Sequence, residues 1–531
     1  MTKYIMRLSL LITILGGINS LLSKDATGKS FLSVWPAFQI NSPERLCMRH
    51  NQMKLYDDQR RHEFDVTALG GKSTDSQKTA KYFGPFDERC LRMGEFGTDW
   101  AKTGNVDLVA NYFNVFTDDY PVQGDALDPT IDKYTFKSQI SFTPEYKFYG
   151  VGLHYRYQVS CDPEKGFWLD VAVPILHVET NMNLKEGVIK PGGATGENPN
   201  VPEGYFGNMT DAFKQSGWQF GKINGSQSIT RVADIQLGVG YTYIKEETHY
   251  LQSYMGVIVA TGNKPKGEFM FEPIAGNGGH NGIVFAMHLG FLVWGSPTQS
   301  IAMNLDTAST FFFHNNQVRS LDLKNNQWSR YMSVYKDKDA LVTSDGINSF
   351  TREVRVGHGF VRNINAAVTY THCNGMQIEG GYQFFAQSAE SVELNCNWKT
   401  GPAIAALWKK DDAGNQVFIT GTGNTVKPGI SRDNATIRTY EYIDNDKVMI
   451  DDPVDGIIYV DGYRPITASD FDLESAATPG FVTHTFYLSF GKYWDHLYNP
   501  KFLGAGFSYE FCDENSGMNR WMLWGKIGIT F

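Results

Sequence analysis

The chain closes on WMLWGKIGITF. In an extended strand Trp521, Leu523, Gly525, Ile527, Ile529 and Phe531 share one face, and Met522, Trp524, Lys526, Gly528 and Thr530 the other. One face is apolar and the other mixed. The same two-residue period recurs upstream. Val151, Leu153, Tyr155, Tyr157 and Val159 oppose Gly150, Gly152, His154, Arg156 and Gln158, and Ile235, Leu237, Val239, Tyr241 and Tyr243 oppose Asp234, Gln236, Gly238, Gly240 and Thr242. Twelve segments of this kind are expected to be strands: 133–142, 145–159, 167–180, 232–245, 249–262, 281–294, 299–314, 360–372, 376–388, 481–493, 501–511 and 519–531.

The second face separates two architectures. A soluble sandwich turns that face to water and fills it with Lys and Glu. Here it is rich in Gly, Ser, Thr and Gln, as the lining of a transmembrane barrel would be, and the strands have the nine to eleven or so residues needed to cross. Tight turns are expected at Thr143 to Glu145, Lys245 to Thr248, Gly295 to Gln299, Cys373 to Gly375 and Tyr493 to Pro500. Large loops are expected at 183–231, 316–359 and 395–480. Short turns at one rim and long loops at the other suit a barrel. Trp168, Trp294, Tyr370, Trp494 and Trp521 stand near strand ends, where interfacial aromatics belong.

The expected fold is therefore all-β, a transmembrane antiparallel β-barrel of about 14 strands, with 12 to 16 open, occupying residues 131–531. The parity of the turns fails near Pro144, so one strand is missing or extra. Trp218 to Ile223, Phe31 to Ile40, Glu63 to Leu69 and Thr79 to Phe86 are the strand-like stretches that could supply or close the wall.

The opening MTKYIMRLSLLITILGG sets Lys3 and Arg7 before an apolar run, Leu8 to Leu15, and reads as a signal peptide over 1–23. It is too short to span a membrane. Residues 24–130 are read as early strands or a plug. Beyond the start there is no apolar run of about 18 residues, so helical spans are not expected.

Composition sharpens this picture. Aromatics make up 14% of the 531 residues, Gly accounts for 53, and charged residues reach only 20%, against about 25% in an average chain. The balance of 48 basic to 57 acidic residues, without a basic cluster, argues against nucleic acid as a partner. Six cysteines, Cys47, Cys90, Cys161, Cys373, Cys396 and Cys512, lie far apart and show no zinc spacing.

A signal peptide, repeated amphipathic strands and a last strand ending in Phe531 with Ile529 and Ile527 at alternate positions resemble bacterial outer-membrane β-barrel proteins of the porin-like type. The match is at the level of the class and covers about residues 130–531. It departs at Lys526, which stands where the terminal pattern has glycine, with Gly525 beside it. The resemblance implies that Phe531, Ile529 and Ile527 form an assembly signal read by the barrel-assembly machinery. It also implies that outer-membrane lipid surrounds the wall, and it leaves association into a homo-oligomer open.

Lys137, His154, Arg156, Asp170, Asp234, His288, Glu379, Glu510 and Lys526 are the candidate pore-lining residues, whose mixed charges could steer ions or polar solutes. No ordered Ser/His/acid set or G-x-S-x-G context accompanies His154 or His288, so no enzyme is expected. No cofactor or metal site is expected either: the acidic run Ile443 to Gly456 lacks calcium-loop spacing, with Val448 at a ligand position, and GNGGHNG, Gly276 to Gly282, lacks the strand and helix of a phosphate loop. Thr210 to Ser216 is expected to form a helical turn or two. Arg45, Arg49, Lys54 and the run Arg60 to His62 could meet anionic headgroups, though a charged turn is the plainer account. The leading function is a porin-like channel for small polar solutes or ions. The alternatives are a surface adhesin acting through its long loops, and a transporter for hydrophobic compounds with an N-terminal plug.

Overall fold

The computed structural model describes residues 26–48, 61–94, 108–116, 136–190, 201–336, 343–395 and 465–531, apart from 161, 163, 202, 203, 247 and 496, together with 398, 402–404, 408–410, 416–418 and 437. The expected signal peptide, Arg49, Lys54, Arg60 and the acidic run 443–456 lie outside the described residues.

Twelve antiparallel strands form the wall: β1 (His62–Ser73), β2 (Glu145–Gln158), β3 (Gly166–Asn181), β4 (Ile235–Lys245), β5 (His249–Val259), β6 (Gly282–Gly295), β7 (Gln299–Phe312), β8 (Val361–His372), β9 (Met376–Gln387), β10 (Phe481–Trp494), β11 (Lys501–Phe511) and β12 (Arg520–Thr530). Each pairs with its neighbour in sequence. The ring closes between first and last, where Phe64 lies opposite Ile529 and Thr67 opposite Lys526. Closure leaves no ring edge with unpaired backbone groups, which a sheet in lipid could not tolerate. A thirteenth strand of the sheet, Ser226–Val232, pairs only with the end of β3 and stands outside the ring.

Five short links, 159–165, 246–248, 296–298, 373–375 and 495–500, share one rim with the start of β1 and the end of β12. At one of them, Gly375 adopts φ +85° and donates to the His372 carbonyl at 2.9 Å, closing the turn predicted from Asn374-Gly375. All the large insertions leave from the opposite rim. Their described residues pack into a cap with small sheets of its own, such as Cys90–Gly94 with Lys137–Ser141 and Lys185–Lys190. Its core gathers Phe113, Phe213, Trp218, Trp328 and Tyr331, all fully buried.

The wall has twelve strands, where the sequence suggested about 14. Segment 133–142 is not a stave: its described residues are 136–142, of which Lys137–Ser141 is a strand of the cap sheet, and β1 takes its place in the wall, while none of the other strand-like stretches adds to the twelve. Both segments alternate, but in opposite senses. Phe136 and Ile140 bury their apolar face in the cap core, whereas β1 turns Phe64 outward and Glu63, Asp65 and Thr67 inward. This exchange removes the parity conflict at Pro144. Of the other strand-like stretches, Ser76–Phe83 is a helix, with Asp75 accepting from the Lys78 backbone N–H at 3.2 Å. Trp218 to Ile223 forms only an isolated bridge at Lys222, and 31–40 is not paired as a strand. The short helix Met209–Ala212, capped by Asn208, starts one residue before the expected turn.

The polarity of the wall is inverted relative to a soluble sheet. On β10 the neighbours Leu488 and Phe490 are 52% and 59% exposed, while Ser489 between them is 2% exposed. Phe285, Met303, Phe507, Leu523 and Ile527 likewise face out, and Gln252, Asn304, Thr369 and Glu379 face in. An apolar exterior around a polar interior is the arrangement that a hydrocarbon surround requires.

Candidate functional site in the barrel lumen

Residues 26–48 occupy the space inside the wall. They begin against the cap, where Ser30 donates its backbone N–H to the Ser475 carbonyl at 2.9 Å and Gly28 donates to Gly84 at 2.7 Å. The segment then passes down between the strands. A Cβ at Gly152 of β2 would overlap the Phe38 ring, and one at Gly491 of β10 would overlap the Met48 sulfur, so the glycines make room for it. Its one helical turn, Pro43–Leu46, starts on a proline, whose missing N–H costs nothing at that position. Phe38, Asn41 and Met48 adopt left-handed backbone conformations with φ near +65°. Such turns let the chain fold back repeatedly within a narrow space.

The wall holds this segment through two groups of inward side chains. The first is charged and spans β12, β1, β2, β3 and β4. His154 bridges two aspartates, with Nδ1 2.7 Å from Asp65 and Nε2 2.7 Å from Asp170. Arg45 pairs with Asp170 and donates from Nη1 to Gln236 at 2.5 Å, and Arg156 donates to Asp170 at 3.4 Å. Lys526 lies 3.6 Å from Asp65 and donates to the carbonyls of Arg45 at 2.9 Å and Cys47 at 3.3 Å. Buried ionic groups persist only when paired in this manner.

The second group is largely neutral and runs across β5, β7, β8, β9 and β10. Tyr250 donates to Asn304, Asn304 to Thr369 and Thr369 to Glu379, each at 3.0 Å. Tyr487 donates to Asn365 at 3.0 Å and to Glu379 at 3.2 Å. Gln383 donates to the Asn41 carbonyl at 3.1 Å, tying the chain of side chains to the lumen segment. Within the span of the second group, His288 of β6 pairs with Asp306 of β7 at 2.8 Å.

The candidate residues fall in three places. His154, Arg156, Asp170, His288, Glu379 and Lys526 point into the lumen from the wall: His154 and Arg156 bond to Asp170, Lys526 reaches the segment, and His288 and Glu379 bond to other wall residues. Asp234 and Glu510 stand at the loop rim. Asp234 accepts from the Asn277 backbone at 2.6 Å and side chain at 2.7 Å, which anchors the Gly276 to Gly282 stretch. Burial raises its carboxyl above the ordinary range, against the lowering effect of those bonds. Glu510 pairs with Arg520, which donates to the Trp35 carbonyl at 2.7 Å. Lys137 is in the cap sheet, away from the wall. Ile527 and Phe531 face outward, with Ile529 half-buried on the same face. Phe531 also closes the seam, exchanging backbone hydrogen bonds with His62 and stacking on its ring at 5.2 Å.

Sequence reasoning missed Arg45 and Asp65 and misplaced Trp168. Arg45, read as part of a charged turn that could meet lipid headgroups, is buried in the lumen, and no spacing in its neighbourhood marks that position. Asp65 follows from the alternation Glu63, Asp65, Thr67 once β1 is taken as wall. Trp168, expected at the membrane interface, is 1% exposed and faces in, because it shares the parity of Asp170.

At the junction of lumen and cap, Arg319 lies over the Phe31 ring and 3.5 Å from Glu390. Glu390 is held below the ordinary carboxylate range: burial opposes its ionisation, but Arg319, His358, the Thr478 backbone N–H and His280 together outweigh it. His280, 2.8 Å from Gln317, is pushed down to about 4 by burial and by neighbouring His358, which burial also lowers.

No protein-family model matches the chain, and no curated protein matches its sequence. Solved structures with a similar course include an outer-membrane channel from Pseudomonas putida F1, at 9% identity over 89% of this chain and 96% of that one, with a TM-score of 0.35. The transport unit of the autotransporter AIDA-I from Escherichia coli aligns at 7% identity over 92% and 99%, with a TM-score of 0.30. A Pseudomonas aeruginosa FadL homologue aligns at 9% over 96% and 99%, with a TM-score of 0.28. Likeness at this level carries no information on solute or site.

Proposed function

We propose that the protein is an outer-membrane channel for small polar solutes or ions, held closed by its own residues 26–48. The observation that carries the reading is the combination of a polar-lined, apolar-jacketed ring with a resident segment attached to the wall through side chains and carbonyls. Such contacts can be exchanged for water, so a segment held by them can leave without unfolding the ring. Displacement would open a lumen bordered by Asp65, Asp170, Glu379, Arg156 and Lys526, whose mixed charges would set ion preference. The short-turn rim would face the periplasm and the cap the exterior, in keeping with the asymmetry of such barrels.

The test is conductance in planar bilayers of the purified full-length barrel and of a variant lacking residues 26–48. The closed-channel reading expects rare or small steps from the first and frequent larger steps from the second. A variant that folds and inserts yet stays silent would refute it.

A second reading is favoured by the size and dense packing of the cap: a surface barrel that binds a neighbouring cell or host through its insertions. It predicts that trimming 388–480 abolishes adhesion, whereas a channel would keep its conductance. The charged interior gives no support to a transporter for hydrophobic compounds.

A further inference from the structure

Between the lumen segment and β2, β3 and β5 lies a narrow cleft bordered by Asn41, Arg45, Arg156, Trp168, Asp170 and Tyr254. Its walls are built with care. The Arg156 guanidinium lies over the Trp168 ring at 4.1 Å, and Trp168 stacks on Tyr254 at 5.6 Å. Yet Arg156 Nε, Trp168 Nε1, Tyr254 Oη and both side-chain atoms of Asn41 have no hydrogen-bond partner among the described residues. These four side chains are 7%, 1%, 3% and 0% exposed. Buried polar groups of this kind are almost always satisfied, and leaving several unmet in one place is costly.

Most of the unmet groups are donors. Arg Nε and Trp Nε1 can only donate, and Tyr Oη and the Asn amide nitrogen can donate as well, whereas Asn41 Oδ1 accepts. Charge points the same way. Arg45, Arg156 and His154 converge on the single carboxylate Asp170. The remaining acids of this group, Asp65 and Glu63, stand by the other side of His154, where Lys526 meets Asp65. The cleft thus offers more unmet donors than acceptors and a basic surround: Asn41 Oδ1 is the one unmet acceptor of these four side chains, and the Asp170 carboxylate is already engaged by Arg45, His154 and Arg156.

We infer that this cleft is a binding subsite for a small oxyanion, a carboxylate or a phosphate, seated between Arg156, Trp168, Tyr254 and Asn41. The cleft is narrow, so it takes the anionic head and not a bulky solute. The inference needs only the folded barrel, and it stands or falls independently of whether the protein conducts.

The test is equilibrium dialysis of the intact, detergent-solubilised protein against radiolabelled acetate and, separately, radiolabelled inorganic phosphate, with fold verified by heat-modifiable migration. One saturable equivalent per chain is expected for one of the two probes, and the probe retained identifies the source. Arg156→Gln should weaken retention by at least about tenfold, the loss expected of one charge-assisted hydrogen bond. Tyr254→Phe, which removes a single hydroxyl and little volume, should weaken it several-fold and guards against a misfolded arginine variant. No saturable retention of either probe, or retention unchanged in Tyr254→Phe, would overturn the assignment and leave the cleft to water.

Discussion

Arg45 and Asp170 are 125 residues apart in sequence and form an ion pair at the centre of the barrel, both almost fully buried. One belongs to the segment inside the ring and the other to the ring itself. Removing one member of such a pair leaves an uncompensated buried charge and costs about 3–5 kcal/mol. Here that cost falls mainly on the closed arrangement, because Asp170 keeps His154 and Arg156 once the segment has gone. Arg45→Gln is therefore expected to raise channel opening in bilayers while leaving the heat-modifiable fold intact. Unchanged conductance in the variant would show that the pair does not hold the segment.

The junction histidines give a pH dependence with a definite sign. His280 is held at about 4 in the folded protein, below its ordinary value near 6.5. A lowered histidine means the unfolded chain binds more protons, so stability is full above about 6.5 and declines as pH falls towards 4. The loss is on the order of 3 kcal/mol for His280, and His358 acts in the same direction. Thermal unfolding in detergent between pH 7 and pH 4 should show this decline, and His280→Gln should flatten it. An equal slope in the variant would contradict the assignment.

The lipid-facing side of the wall predicts a penalty that depends on facing and depth. Leu488→Arg, at the middle of β10 on the outer face, should destabilise the barrel in liposomes by about 2–4 kcal/mol. Lys165→Arg, in the short link before β3, should change it by less than about 0.5 kcal/mol. Reversible denaturant unfolding measures both, and a negligible cost at Leu488 would place that side chain out of contact with lipid.

The seam makes its own prediction. Phe531 completes the β12–β1 closure through two backbone hydrogen bonds of 2.8 Å and a stacked His62 ring. Deleting Phe531 should reduce the yield of folded barrel in cells severalfold while leaving expression of the chain unchanged. Full assembly without it would remove the last residue from any part in closure or recognition.

The wall was legible because its strands combine a two-residue period with an unusual second face. Runs such as Val151 to Val159 and Ile235 to Tyr243 state both facts at once, and eleven of the twelve expected segments are wall strands. The period does not tell which face is wet. That is why 133–142, whose aromatic face is buried in the cap, was counted as wall while β1 was held in reserve. The inward candidates His154, Arg156, Asp170, His288, Glu379 and Lys526 followed from parity. Arg45 did not, because it lies beyond the strand-like stretch Phe31 to Ile40 in a segment whose course is set by left-handed turns at Phe38, Asn41 and Met48, none of them glycine, and by contacts to strands far along the chain.

The most direct measurement joins Met48 to Gly504 of β11, where the segment touches the wall and a Cβ at Gly504 would lie 2.8 Å from Met48 Cγ and clear of the backbone. In a background with Cys47, Cys90, Cys161, Cys373, Cys396 and Cys512 replaced, M48C with G504C should form a disulfide on oxidation. Conductance of the same bilayer-inserted protein is then recorded before and after reduction. The account predicts silence while the bond holds the segment in place and discrete steps once it is reduced. Identical conductance in the two states, with the cross-link verified, would contradict the claim that residues 26–48 close the channel.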